Sequence, residues 1–176
     1  MLFRSFIYTS YRLQENVDDS KVLLGKLLVQ AHLQNLSALK KDIQQAEFKV
    51  FSQWGDDGII QFLVSYLDIP QKTFIEFGVE DYSESNTRFL LINNNWKGLV
   101  LDGNKNDINY ILDDEIYFRH ELTAKQVFVT AENINQVITE NGFSGEIGLL
   151  HIDIDGNDYW VWKAIEVVNP VIVIVE

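Results

Sequence analysis

The first fifty residues carry no strand-type alternation and no proline. Across residues 21–45 the apolar positions Leu24, Leu27, Leu28, Ala31, Leu36, Leu39 and Ile43 recur at helical spacing. This predicts a helical N-terminal arm over residues 1–50, with its apolar face packed on the domain or on a second copy of the chain. A lid over a substrate is the sharper alternative. His32 within the arm reads as a surface or packing histidine.

From residue 51 the pattern changes. Residues 51–58 form a turn in which Asp56 or Asp57 can cap the orphan N–H groups of a following helix. Ile59, Ile60, Leu63, Val64 and Leu67 give that helix one apolar face, and Pro70 closes it. Residues 73–79 are nearly all apolar, as a strand covered on both faces requires, but they contain Glu76 and Gly78. Strand and helix then alternate. The expected helices span 83–91, 106–112, 131–141 and 159–167, and the expected strands 98–102, 116–121, 147–154 and 171–175. Alternation of this kind predicts an α/β, Rossmann-like domain over 51–176, a parallel sheet with helices on both faces. The fifth strand lies at the end of the chain, so the expectation is a fold incomplete on its C-terminal side. A bare strand edge invites pairing. A homodimer would have two surfaces to use, the N-terminal helix and the fifth strand.

Composition narrows the function. The chain has 176 residues, enough for one domain with a sizeable core, and a net charge of −12. That charge argues against nonspecific binding to nucleic acid or to an anionic membrane. With no cysteine, disulfides, thiolate metal sites and a catalytic thiol are excluded. Residues 1–11 lack the long apolar run and cleavage site of a secretory leader, and no stretch approaches ~20 apolar residues. The expected location is cytoplasmic.

Carboxylates stand at or just past the ends of successive predicted strands: Glu76, Asp102, Glu121, then Asp153 and Asp155. In an open α/β sheet those ends line the ligand crevice. A single strand-end acid more often caps a loop or a helix, but a series over four strands favours a site. Asp102, at the end of the second strand, can accept hydrogen bonds from both ribose hydroxyls. Glu121 is a candidate contact for an adenine amino group, whereas His120 reads as structural. The turn Gly78-Val79-Glu80-Asp81-Tyr82-Ser83 has one glycine, and Glu80, Asp81 and Glu84 would repel phosphate. Pyrophosphate cofactors are therefore disfavoured. S-adenosylmethionine (SAM), which bears adenosine without phosphate and carries a cationic sulfonium and amino group, suits an acidic crevice.

The blocks Ser52-Gln53-Trp54-Gly55-Asp56-Asp57-Gly58-Ile59-Ile60, Phe74-Ile75-Glu76-Phe77-Gly78, Ser85-Asn86-Thr87 and Trp96-Lys97-Gly98-Leu99-Val100-Leu101-Asp102 resemble, in order, those of FkbM-like class I methyltransferases. Leu149-Leu150-His151-Ile152-Asp153-Ile154-Asp155-Gly156-Asn157-Asp158-Tyr159-Trp160 is similar to that family's fourth-strand block. The resemblance covers roughly residues 50–176. It implies SAM-dependent methyl transfer, often to a hydroxyl oxygen of a sugar or secondary metabolite, so that the partner is a small-molecule or glycan acceptor. It further implies that Glu76 and Gly78 hold the methionine end, that Asp102 binds the ribose with Asn104 nearby, and that Asp153 or Asp155 lies beside the methyl group. The turn after Gly78 departs from the family by lacking further glycines.

Strand alternation would put His151, Asp153 and Asp155 on one face. O-methylation needs a base for the acceptor's proton and an aligned attack, and His151 or Asp153 could be that base. Asp153 and Asp155 could instead hold Mg²⁺ or Ca²⁺, which prefer oxygen ligands, although the spaced glutamate of a calcium loop is missing. A third reading is loop and helix capping by Asp155 and Asp158. Trp54, Trp96, Trp160 and Trp162 read mostly as packing, with one free to stack on a sugar or adenine ring. Two other functions remain open at this point. One is a methyltransferase-like binding domain without activity; the other is a nucleotide-sugar glycosyltransferase using Asp153-Ile154-Asp155 for its metal.

Overall fold

The computed structural model describes residues 2–175, with side chains from Arg12 onward. Five strands, β1 (Thr73–Phe77), β2 (Lys97–Asp102), β3 (Leu122–Gln126), β4 (Gly145–Ile152) and β5 (Val168–Val175), form one sheet in the order β3-β2-β1-β4-β5. Every neighbouring pair is parallel. The helices are α1 (Leu2–Leu33), α2 (Leu36–Leu39), α3 (Asp56–Tyr66), α4 (Arg88–Asn94), α5 (Lys105–Asp113), α6 (Glu115–Arg119), α7 (Ile134–Glu140) and α8 (Asp158–Ala164), with a 3-10 turn at Ile43–Ala46. The chain is thus α/β with a Rossmann-like all-parallel sheet.

Side-chain alternation divides the core between the two faces of the sheet. Phe74, Val100 and Leu149 pack with Ile60, Leu90, Leu91 and Ile111 on one face. Ile75, Phe77, Leu99, Leu101, Leu150 and Ile152 pack with Ile134, Ile138 and Val161 on the other. The order of strands reverses between β1 and β4, so the crevice of an open parallel sheet is expected at their C-terminal ends. Among the described residues, no helix is long and apolar enough to cross a membrane.

Several expectations are corrected. Residues 116–121 are not the third strand: Ile116 lies in α6, and the strand is the next five residues. Asp114 caps α6 by accepting the Ile116 N–H at 2.9 Å, and buried Ile116 packs on the core with half-buried Tyr117 beside it. Local capping therefore overrides the strand propensity of Ile-Tyr-Phe. β3 is an edge strand and hides only Leu122 and Ala124, too few to announce itself.

The arm is helical, and the domain takes the side of α1 away from Leu24, Leu27 and Leu28, while Leu36 and Leu39 pack on Phe62. Val22, Gly25 and Val29 of α1 face Val50, Phe51 and Phe89. A Cβ on Gly25 would lie 2.7 Å from Val50 and 2.8 Å from Phe89, so the missing side chain is what lets α1 close on α4. Leu24, Leu27 and Leu28 remain exposed. His32 packs against the ring of Phe48, as a packing histidine should.

Neither Asp56 nor Asp57 caps α3 in the expected way. Gly55 is the N-cap residue, and the Asp57 carboxylate turns back to the preceding loop. β5 starts at Val168 and takes in Pro170, which an edge strand tolerates because one of its sides makes no ladder bonds.

Candidate functional site

The crevice opens at the C-terminal ends of β1, β2 and β4 and has a volume of about 610 Å³. Its construction begins inside β1. Glu76 lies mid-strand with 2% of its surface exposed, and a bare carboxylate there would be prohibitively desolvated. Its register partner on β4 is His151, on the same face. His151 Nδ1 meets Glu76 Oε1 at 2.9 Å. The loop before α4 supplies the other partners: the hydroxyls of Ser85 and Thr87 and the N–H groups of Asn86 and Thr87 all donate to Glu76. Behind them the buried Tyr82 hydroxyl meets Thr87 Oγ1 at 2.9 Å.

These contacts set the charge of the pair. Burial alone would raise the Glu76 carboxyl, but the hydrogen bond and charge of His151, with Ser85 and Thr87, outweigh it and hold the group below its usual range. Burial alone would lower His151, yet Glu76, followed by the charges of Asp153 and Asp56, pushes it above its usual value. Burial and then the charge of Glu76 push the Tyr82 phenol well up. The second ring nitrogen of His151, Nε2, lies 3.0 Å from the Asn86 amide nitrogen. With Nδ1–H donating to Glu76, Nε2 keeps its lone pair toward Asn86 and the crevice, which His151 lines.

Gly78 follows β1 at φ +73°, and a Cβ on it would fall 1.6 Å from the Asp153 carbonyl oxygen. Its glycine is therefore demanded by the chain itself, where the turn after β1 presses on the turn after β4. Left-handed backbone at Glu80 (φ +48°) and Tyr82 (φ +66°) carries the rest of that turn without glycine. Asp102 fixes it from β2: Oδ2 accepts the Glu80 N–H at 2.9 Å and Oδ1 accepts the Asn104 N–H at 2.7 Å. Asn104 in turn caps α5 through its side-chain oxygen.

β4 ends at Ile152, so strand alternation does not extend to Asp153 and Asp155. Both lie in the following loop and border the crevice, with Asp155 at φ +55°. The loop is organised by Asp158, whose carboxylate accepts the N–H groups of Ile154 at 2.8 Å and Gly156 at 3.0 Å. Of the two acids expected to cap, Asp158 does so by these bonds.

On the far wall, the loop before α3 is held by Asp57. Its Oδ2 accepts the N–H groups of Val50, Phe51 and Ser52, each at 2.8 Å, and the Ser52 hydroxyl. Burial nonetheless pushes the Asp57 carboxyl up. This loop brings Gln53, Trp54 and, at the start of α3, Asp56 to the crevice.

The structure thus gathers Glu76, Gly78, Asp102, His151, Asp153 and Asp155 around one cavity. Asn104 stays beside it, behind Asp102. Glu121 is not brought there. It precedes β3 and faces Lys97 at the start of β2 (3.7 Å), at the opposite end of the sheet, because the third strand begins after it rather than before it. Among the described residues, seven carboxylates line the crevice, those of Asp56, Glu76, Glu80, Glu84, Asp102, Asp153 and Asp155, and no Lys or Arg does. Among the described residues no group of three or more His, Asp or Glu is placed to hold a metal ion. The sequence reading missed the Glu76 network, the Asp57 anchor and Phe128 on the rim. An acid within an apolar strand was the available signal for the first, since its buried partners had to come from somewhere polar, and Ser85-Asn86-Thr87 and His151 were the supply.

Compared with family models, with curated proteins and with solved structures, the chain gives no significant match.

Proposed function

We propose that the crevice binds S-adenosylmethionine and that the protein is a methyltransferase acting on a hydroxyl oxygen of a small molecule or glycan, in the manner of the FkbM-like enzymes its sequence blocks resemble. The observation that carries this reading is a cavity at the strand-order reversal lined, among the described residues, by carboxylates and by no Lys or Arg, which favours a cationic, phosphate-free ligand. Asp102 would take the ribose: each of its oxygens accepts one loop N–H and keeps a lone pair for a hydroxyl. Gly78 would border the methionine end, with Asp153 on the wall beside it. Glu76 would act from behind, since its oxygens are already occupied by protein donors.

When bound, SAM would supply an electrophilic methyl group with a neutral thioether as its leaving group. His151 is the group to receive the acceptor's proton, at Nε2, in exchange for the hydrogen bond it accepts there from Asn86. Glu76 orients the ring through Nδ1, and the neighbouring charges of Asp153 and Asp56 favour the imidazolium that results. The absence of cysteine suits a reducing, cytoplasmic setting.

A binding domain without activity is favoured by one feature, the filling of the space at Gly78 by the Asp153 carbonyl. Calorimetry with S-adenosylhomocysteine and, separately, with a uridine-diphosphate sugar plus Mn²⁺ distinguishes the readings. The expected result is binding of the former, weakened at least ~10-fold, about 1.4 kcal/mol, by Asp102→Ala. Binding of the nucleotide sugar alone would shift the reading to glycosyl transfer, and binding of neither would leave the non-catalytic domain.

A further inference from the structure

Two aromatic side chains stand bare on the crevice rim, and they come from different elements. Phe128, 77% exposed, follows β3 beside Gly103 and so belongs with Asp102 at the ribose side. Trp54, 84% exposed, belongs to the loop before α3, with Gln53, Asp56 and Glu84 as crevice neighbours. Of the other tryptophans, Trp96 is buried and Trp160 and Trp162 lie on α8 away from the crevice. An indole this bare adds little to the core. Its loop is nonetheless held on both sides. Asp57 anchors residues 50–52, and Lys49 Nζ donates to the Gln53 carbonyl at 3.1 Å while pairing with Glu84 at 3.8 Å. An exposed indole on an anchored loop, lining the same crevice as carboxylates and amides, offers one flat apolar element with several hydrogen-bonding groups around the cavity. That combination fits a saturated ring with an apolar C–H face and hydroxyls around its rim.

We propose that Trp54 is the stacking platform of the acceptor site, and that it selects an uncharged polyhydroxylated ring, a neutral pyranose, over phosphorylated or carboxylated ones. This rests on the methyltransferase reading only in calling that ring the acceptor. Asp56 and Glu84, which line the crevice with Trp54, can accept from hydroxyls and repel an anionic substituent. Asp56 and His151 line the same crevice as Trp54.

Saturation-transfer NMR with the methyl glycosides of glucose, galactose, mannose, rhamnose and glucuronic acid tests this. Each is measured with and without S-adenosylhomocysteine, whose own affinity is followed by calorimetry. At least one neutral glycoside should bind, at least ~10-fold more weakly to Trp54→Ala and within about threefold to Trp54→Tyr, while the glucuronide does not bind. The affinity for S-adenosylhomocysteine should change less than about twofold in either variant. The proposal is overturned if no neutral glycoside binds, if Trp54→Ala binds like the parent, or if the glucuronide binds equally well. Failure of S-adenosylhomocysteine to bind sinks the cofactor reading alone, because Trp54-dependent glycoside binding in its absence still supports the platform. Melting curves of both variants, which should match the parent at so exposed a position, exclude misfolding as the cause.

Discussion

Glu76 and His151 depend on each other for their charge, and the two halves of the pair leave opposite marks on pH dependence. Glu76 is held below its usual range, so its contribution to stability is present above the ordinary carboxylate value of 4.5 and is lost as pH falls through the lowered one. His151 is held above 6.5, so its contribution is fully present below 6.5 and is lost as pH rises through the raised value. Denaturation of the parent and of His151→Gln across about pH 5 to 9 should show the parent's advantage shrinking toward the alkaline end; a constant difference would mean the pair is not charged. Activity should run the other way, because a base must be neutral. The acid limb of the rate profile is expected above the ordinary histidine value and should be absent from any residual rate of His151→Gln. Gly78→Ala puts a methyl group into the Asp153 carbonyl at a left-handed position. Crowding costs about 1–3 kcal/mol and the backbone a further ~1–2 kcal/mol, to be read from urea titration. At this scale the sequence showed which residues mattered but not their roles. Glu76 read as a ligand contact because its neighbours in sequence are apolar, while its partners lie 9 to 75 positions away.

Elements were legible where periodicity was long and both faces were covered. β1, β2 and α5 fall close to where the pattern put them. Short, half-covered elements were not: residues 116–121 looked like a strand because nothing local reveals that Ile116 packs as a helix under an Asp114 cap. The arm was recognised as a helix, but not which side meets the domain, since apolar residues lie on both of its sides and the small residue Gly25, rather than a leucine, marks that contact. The loop before α3 looked like an ordinary helix entry, although Asp57 reaches back over it. Asp57→Ala would strip one shared acceptor from three N–H groups, and the loss is expected to reach about 3 kcal/mol or more in chemical denaturation.

Across the whole molecule, strand order and charge combine. The sheet was readable from alternation, and its reversal between β1 and β4 converts acids scattered through the sequence into one lining. A net charge of −12 concentrated in part at that lining should make ligand affinity depend on salt. Raising ionic strength from ~0.05 M to ~0.5 M is expected to weaken SAM more than S-adenosylhomocysteine, which lacks the sulfonium charge; equal slopes in calorimetry would mean the carboxylates do not face that charge. The anchoring of residues 50–52 by Asp57 has a thermodynamic consequence for the molecule as a binder. Ordering that loop is part of folding, so its conformational entropy is already lost before any ligand arrives. The amide hydrogens of Val50, Phe51 and Ser52 should then exchange slowly in the free protein, at rates a ligand hardly changes, and the crevice should close on its occupant as a wall already in place.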